Sequence, residues 1–80
     1  MNREALVEWV REALLAYPNG ATIVQVAKHI WEHHKEELAN SGDLFFTWQY
    51  DMRWAATKLR RAKKVRQVGD SQRGIWELVR

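Results

Sequence analysis

The chain has 80 residues, with 13 Lys or Arg against 10 Asp or Glu for a formal charge of +3, five Trp and no Cys. One domain over residues 1–80 is expected, and a domain this small buries only roughly 60% of its unfolded surface, so the large side chains must supply much of the core. The lack of cysteine excludes a disulfide framework and a thiolate zinc site, and no run approaches the roughly 18 apolar residues of a membrane span.

No secretory-type leader pattern opens the chain, so the expected location is the cytoplasm. Charge is divided unevenly along it. Residues 1 to 46 hold four bases against seven acids, a formal −3, whereas residues 47 to 80 hold nine bases against three acids, a formal +6. An acidic half followed by a basic half points to a polyanionic partner at one end of the fold.

The first helix is predicted from Arg3 to Ala16, with Asn2 as N-cap and Glu4 in the first turn, where a carboxylate suits the helix dipole. Leu6, Val10, Ala13, Leu14 and Tyr17 share one face, and "YPNG" ends the helix because Pro18 cannot continue it. In "TIVQ", Thr22 caps the second helix while Gln25 reaches back to complete a capping box. That helix is predicted from Ile23 to Leu38, burying Ile23, Val26, Ala27, Ile30, Trp31, His34 and Leu38. "ANSG" at 39 to 42 closes it, and Ala21 and Thr22 leave room for a short strand just before it.

"DLFF" reads as a loop, with Thr47 as the cap of a third helix over 48–64. At about 100° per residue Trp48, Met52, Ala55, Ala56, Leu59 and Ala62 fall on one side, a regular core stripe. Gln49, Tyr50, Arg53, Thr57, Arg60, Arg61 and Lys64 fall on the other. Asp51 is the sole carboxylate of the helix and projects beside the apolar face, while Trp54 sits half exposed at the edge of the basic arc. A merely solvated helix interleaves Glu with Lys for i,i+4 support, and this arc contains no acid. Arg forks to guanine, Gln pairs with adenine, and the other groups bond phosphate, so the arc matches what a DNA major groove selects.

Two β-prone runs follow, 65–68 and 75–79, joined by "GDSQRG", which reads as a β-hairpin with Gly69 and Gly74 at the ends of its loop. Trp76 and Leu78 are expected to point inward, with Ile75 and Glu77 facing away. Three helices, the last one basic, followed by a hairpin is the order of a winged helix-turn-helix: mainly α with a small two-stranded C-terminal wing, and a short third strand near Ala21. The wing tip at 69–74 then meets the DNA backbone, with Arg66 and Arg73 as further contacts.

The stretch "DMRWAATKLRRAKKVRQVGDSQRGIWELV" resembles the end of the N-terminal winged-helix domain of Mrr-type restriction proteins, where a W-A-x-x-x-L helix leads to a hairpin closing on R-G-x-W-x-L. The matching positions are Trp54, Ala55, Leu59, Arg73, Gly74, Trp76 and Leu78. HARE-HTH domains are similar in helix order and in a glycine-led last strand. One departure is that the family carries Ala-Gly and an apolar pair after the helix, where this chain has Ala62-Lys63-Lys64-Val65. The resemblance implies DNA binding; in the Mrr family the domain is an appendage to a nuclease.

Nuclease chemistry of that type needs an Asp and a Glu-x-Lys cluster for a divalent metal, and no Glu-x-Lys occurs in this chain. In "HIWEHH", His29 and His33 stand one turn apart on the outer face of the second helix without an evident third ligand, and His34 is expected partly buried and hydrogen-bonded. No catalytic residue, metal or cofactor is therefore assigned. The expected function is that of a small DNA-binding regulator or accessory protein in transcription regulation, with double-stranded DNA as partner. The rival is a protein-interaction module without DNA binding, using Val7 and Trp9 on helix one, the same face through which a homodimer would pair.

Overall fold

A computed structural model describes residues 3–66 and 74–79. The element order is α1 (Glu4–Leu15), β1 (Ala21–Thr22), α2 (Ile23–Ala39), α3 (Leu44–Arg61) and β2 (Ile75–Trp76). Three helices with a small antiparallel wing at the C-terminal end make up the fold, and among the described residues no helix is long and apolar enough to cross a membrane.

Helix α1 buries Leu6, Val10, Ala13 and Leu14, as its period-3.6 stripe requires. The expected cap Asn2 lies outside the described residues. Arg3 occupies the N-cap position without a side-chain bond, and its guanidinium lies 4.1 Å from the centroid of the Trp54 ring. Helix α2 starts where its local chemistry dictates. The Gln25 amide donates to Thr22 Oγ1 at 3.2 Å and the Thr22 amide donates to Gln25 Oε1 at 2.8 Å, satisfying two otherwise orphaned donors.

Two features of α2 differ from the sequence reading. Trp31 is 41% exposed instead of buried: one side of its indole is stacked on the Trp48 ring, with planes 11° apart, and the rest stays outside the core. At His34 the backbone leaves helical geometry (φ −133°, ψ 20°), and the helix resumes beyond it.

Helix α3 begins and ends earlier than the 48–64 span expected from its apolar stripe. Its first turn is Leu44 to Thr47, since Leu44 is buried in the core cluster one turn ahead of Trp48 and carries the chain into the helix with it. Asp43 precedes the helix and makes no cap bond. Thr47, expected as the cap, is inside the helix and its hydroxyl donates to Asp51 Oδ2 at 2.8 Å. At the other end Lys63 takes φ 63°, the left-handed geometry, so Lys64 lies beyond the helix.

α1 packs most extensively on α3, and both close over α2. β1 pairs antiparallel with β2, Ala21 opposite Trp76 and Thr22 opposite Ile75. Just beyond β2, on the opposite edge of the chain, Val65 forms an isolated antiparallel bridge with Leu78, with the Arg66 amide donating to the Glu77 carbonyl and the Val79 amide to the Lys64 carbonyl, both at 2.9 Å. The C-terminal strand is therefore flanked on both sides, by the short strand before α2 and by the chain leaving α3. Leu78 and Val65 are buried and Trp76 packs partly buried against the core, so the inward alternation of Trp76 and Leu78 holds. Gly20 makes the β1 approach feasible: at φ 95° a side chain is strained, and a Cβ there would stand 2.5 Å from Ile75 Cγ2.

Candidate nucleic-acid interface

Because Leu44, Trp48, Met52, Ala55, Ala56 and Leu59 hold α3 in the core, the opposite face of the helix is turned outward by geometry alone. Gln49, Tyr50, Arg53 and Arg61 are exposed there, and Thr57 and Arg60 are half-exposed. Thr57 bonds back to the Arg53 carbonyl at 3.1 Å. Trp54 closes the α1 side of this face, lying beneath both Arg3 and Lys58. Asp51 is half-buried and held by Thr47, off the outward arc.

Arg60 turns toward the wing. Its Nε donates to the Arg66 carbonyl at 3.3 Å, fastening the last turn of α3 to the chain that leaves it. Beside it a shallow groove of about 320 Å³ is lined by Ile23, Arg53, Ala56, Thr57, Arg60, Gly74 and Trp76. The groove thus joins the start of α2, the outward face of α3 and the root of the wing, with two guanidinium groups at its margin and the Trp76 ring along its wall. Such a surface suits a phosphate backbone running from helix to wing, since Arg presents a planar fork of donors to phosphate oxygens.

The remaining expected contacts separate into three groups. Arg53, Arg61 and Lys64 have no carboxylate partner among the described residues, in contrast to Arg11, paired with Glu8 at 3.0 Å, and Lys58, paired with Glu4 at 3.2 Å. Arg66 is engaged by Glu77 at 3.1 Å across the strand pair, which neutralises the charge the sequence assigned to DNA contact. Arg73 and the wing loop through Gly69 lie outside the described residues.

Sequence reasoning missed one part of this face. Phe46 stands one turn ahead of Tyr50 on the same outward stripe, 82% exposed beside the 77% of Tyr50. The signal was the i,i+4 spacing of Leu44 and Trp48, which extends the apolar stripe of α3 back through "LFF" and turns Phe46 outward.

The histidines form a separate cluster on α2. The His29 and His33 rings stack with centroids 4.1 Å apart, and burial followed by the neighbouring His33 lowers the His29 pKa from its ordinary value. His34 is half-buried, contacts Glu37 Oε2 at 2.6 Å and Glu12 Oε1 at 3.3 Å, and lies flat on Trp9. Among the described residues no group of three or more His, Cys, Asp or Glu is gathered for a metal ion. Trp9 and Val7, read as an exposed partner face, instead pack half-buried against the core, since the His34 ring covers one side of the Trp9 indole. A partly exposed apolar surface lies instead around a groove of about 750 Å³ between α2 and α3, where Val24, Ala27, Trp31, Phe45 and Trp48 are joined by Lys28, Glu32 and Gln49. Comparison with protein-family models, curated proteins and solved structures finds no match to this chain.

Proposed function

We propose that this chain is a small DNA-binding protein, a regulator or accessory factor of the cytoplasm, that lays α3 in the major groove of a duplex with the wing on the adjacent backbone. The observation that carries the reading is the outward face of α3. Arg53 and Arg61 stand there without a carboxylate partner among the described residues, alongside Gln49, Tyr50 and Thr57, while Arg11, Lys58 and Arg66 elsewhere are neutralised by Glu8, Glu4 and Glu77. Unpaired guanidinium groups on one side of a small protein supply the electrostatic part of duplex binding, and the polar side chains between them supply reach to base edges. The resemblance to the Mrr-type N-terminal domain supports the same reading, as a binding role without an enzymatic one.

A second reading is a protein-interaction module. The groove between α2 and α3 favours it, with Val24 59% and Trp31 41% exposed at its walls. Fluorescence anisotropy of a labelled duplex over a salt series separates the two. A DNA binder loses affinity linearly in log–log form as salt rises, by a slope of about −0.9 per neutralised phosphate. Affinity that is absent at low salt, or flat across the series, removes the DNA reading and leaves the adaptor.

A further inference from the structure

The early start of α3 places an aromatic pair where a reading helix would enter DNA. Phe46 and Tyr50 are separated by one turn, and Arg53 and Thr57 continue the same stripe, so the outward line of the helix runs aromatic, aromatic, basic, polar from its N-terminal end. Phe46 at 82% and Tyr50 at 77% are the two most exposed large apolar side chains among the described residues. Neither contributes to the core, whose side of the same turns is occupied by Leu44, Trp48 and Met52.

Resting on the DNA-binding reading above, we propose that Phe46 is a specificity-determining residue that recognises the C5-methyl group of thymine in the major groove, with Tyr50 behind it. Three considerations converge. A recognition helix contacts base edges with its N-terminal residues, which is where Phe46 stands. The face it belongs to is cationic without a carboxylate on the stripe, so the complementary partner is a polyanion rather than an apolar protein surface. The thymine methyl is the apolar group that a major groove displays, and an exposed phenyl ring is among the side chains that meet it. The preferred site then carries thymine at the position facing the start of α3, with the Arg53 contact further along the groove.

The test compares a duplex selected from a random pool with the same duplex carrying deoxyuridine in place of thymine, one position at a time. That exchange removes the methyl and leaves every hydrogen-bonding edge intact. Anisotropy titrations with the full chain at one salt concentration are expected to show about a fourfold loss at one position, the worth of about one buried methyl group. Phe46→Ala is expected to bind the thymine and deoxyuridine duplexes alike, at the wild-type affinity for the latter. A side chain so exposed is removed without a cavity, and circular dichroism of the variant checks the fold.

If wild type does not distinguish the two duplexes at any position, or if Phe46→Ala weakens both and keeps their ratio, the methyl contact is overturned while DNA binding stands. Salt-independent or absent binding by wild type overturns both the contact and the reading on which it rests. Sedimentation of wild type and Phe46→Ala adds the protein alternative. Loss of a self-associated species in the variant, with thymine preference unchanged, assigns the aromatic pair to a second copy of the chain and overturns the proposal.

Discussion

The Lys64 amide donates to the Leu59 carbonyl at 2.9 Å, five residues back, with Lys63 between them at φ 63°. The Lys63 amide donates to the Arg60 carbonyl at 3.0 Å, so the two bonds together form a Schellman ending in which a lysine holds the position that glycine ordinarily takes. An L-residue there carries a left-handed penalty of roughly 1–2 kcal/mol, part of which a glycine returns as extra freedom of the unfolded chain. Lys63→Gly is expected to raise stability by about 1 kcal/mol in urea melts at unchanged slope. An unchanged or lower midpoint would mean that Lys63 is stabilised in place by something other than the turn itself.

The outward face of α3 divides by place along the helix. Arg53 lies midway on the exposed stripe, where the proposed docking brings it to base edges, whereas Arg61 lies in the last turn, where the same docking brings it to phosphate. Arg53→Ala is expected to weaken a preferred duplex by roughly 1–3 kcal/mol and to flatten the difference between preferred and scrambled duplexes. Arg61→Ala is expected to weaken all duplexes alike and to reduce the salt slope by about one. Anisotropy with both duplexes measures the two effects, and an Arg53→Ala protein that binds both as wild type does removes α3 as a reading helix.

The Arg66–Glu77 pair at 3.1 Å withholds one positive charge from the wing root. Replacing Glu77 by Gln keeps the side-chain shape and releases that charge. Since exposed pairs contribute about 0–1 kcal/mol, the fold should lose little. Duplex binding is expected to tighten at low salt, with the salt slope steeper by up to about one unit. No change in slope would show that the DNA path does not pass Arg66.

Burial and the adjacent His33 ring hold the His29 pKa below its ordinary 6.5. The folded chain therefore takes up this proton less readily than the unfolded chain does. Stability contributed at His29 is complete above about pH 6.5 and falls as the pH drops through the lowered folded value. His29→Gln is expected to flatten that part of the stability profile, which urea melts between pH 5 and 8 resolve. An unaltered profile would show that His29 carries none of the proton-linked loss.

What could be read from the sequence was whatever neighbouring residues decide among themselves. The apolar stripes of α1 and α2, the Thr22–Gln25 capping box and the stop at Pro18 all act within about a turn of chain, so their elements lie within one or two residues of the expected bounds. The outward turn of Gln49, Arg53 and Arg61 followed equally from the spacing of Trp48, Met52, Ala55 and Leu59, because a helix that buries one face must expose the other. The short strand at Ala21 and the inward alternation of Trp76 and Leu78 were also legible, though the partner strand of Ala21 was not.

Only the tertiary structure decided which apolar residues won places in a core too small for all of them. Leu44 was admitted and drew α3 one turn earlier, exposing Phe46, while Trp31 was left half outside against Trp48 and Trp9 was covered by His34. It also decided pairings across distant parts of the chain, Ala21 with Trp76, Lys58 with Glu4 and Arg66 with Glu77. Periodicity and capping energies are local and can be summed along the chain. Competition for a limited interior, and the charges that come to face one another once it is filled, depend on how the helices and strands are brought together in space.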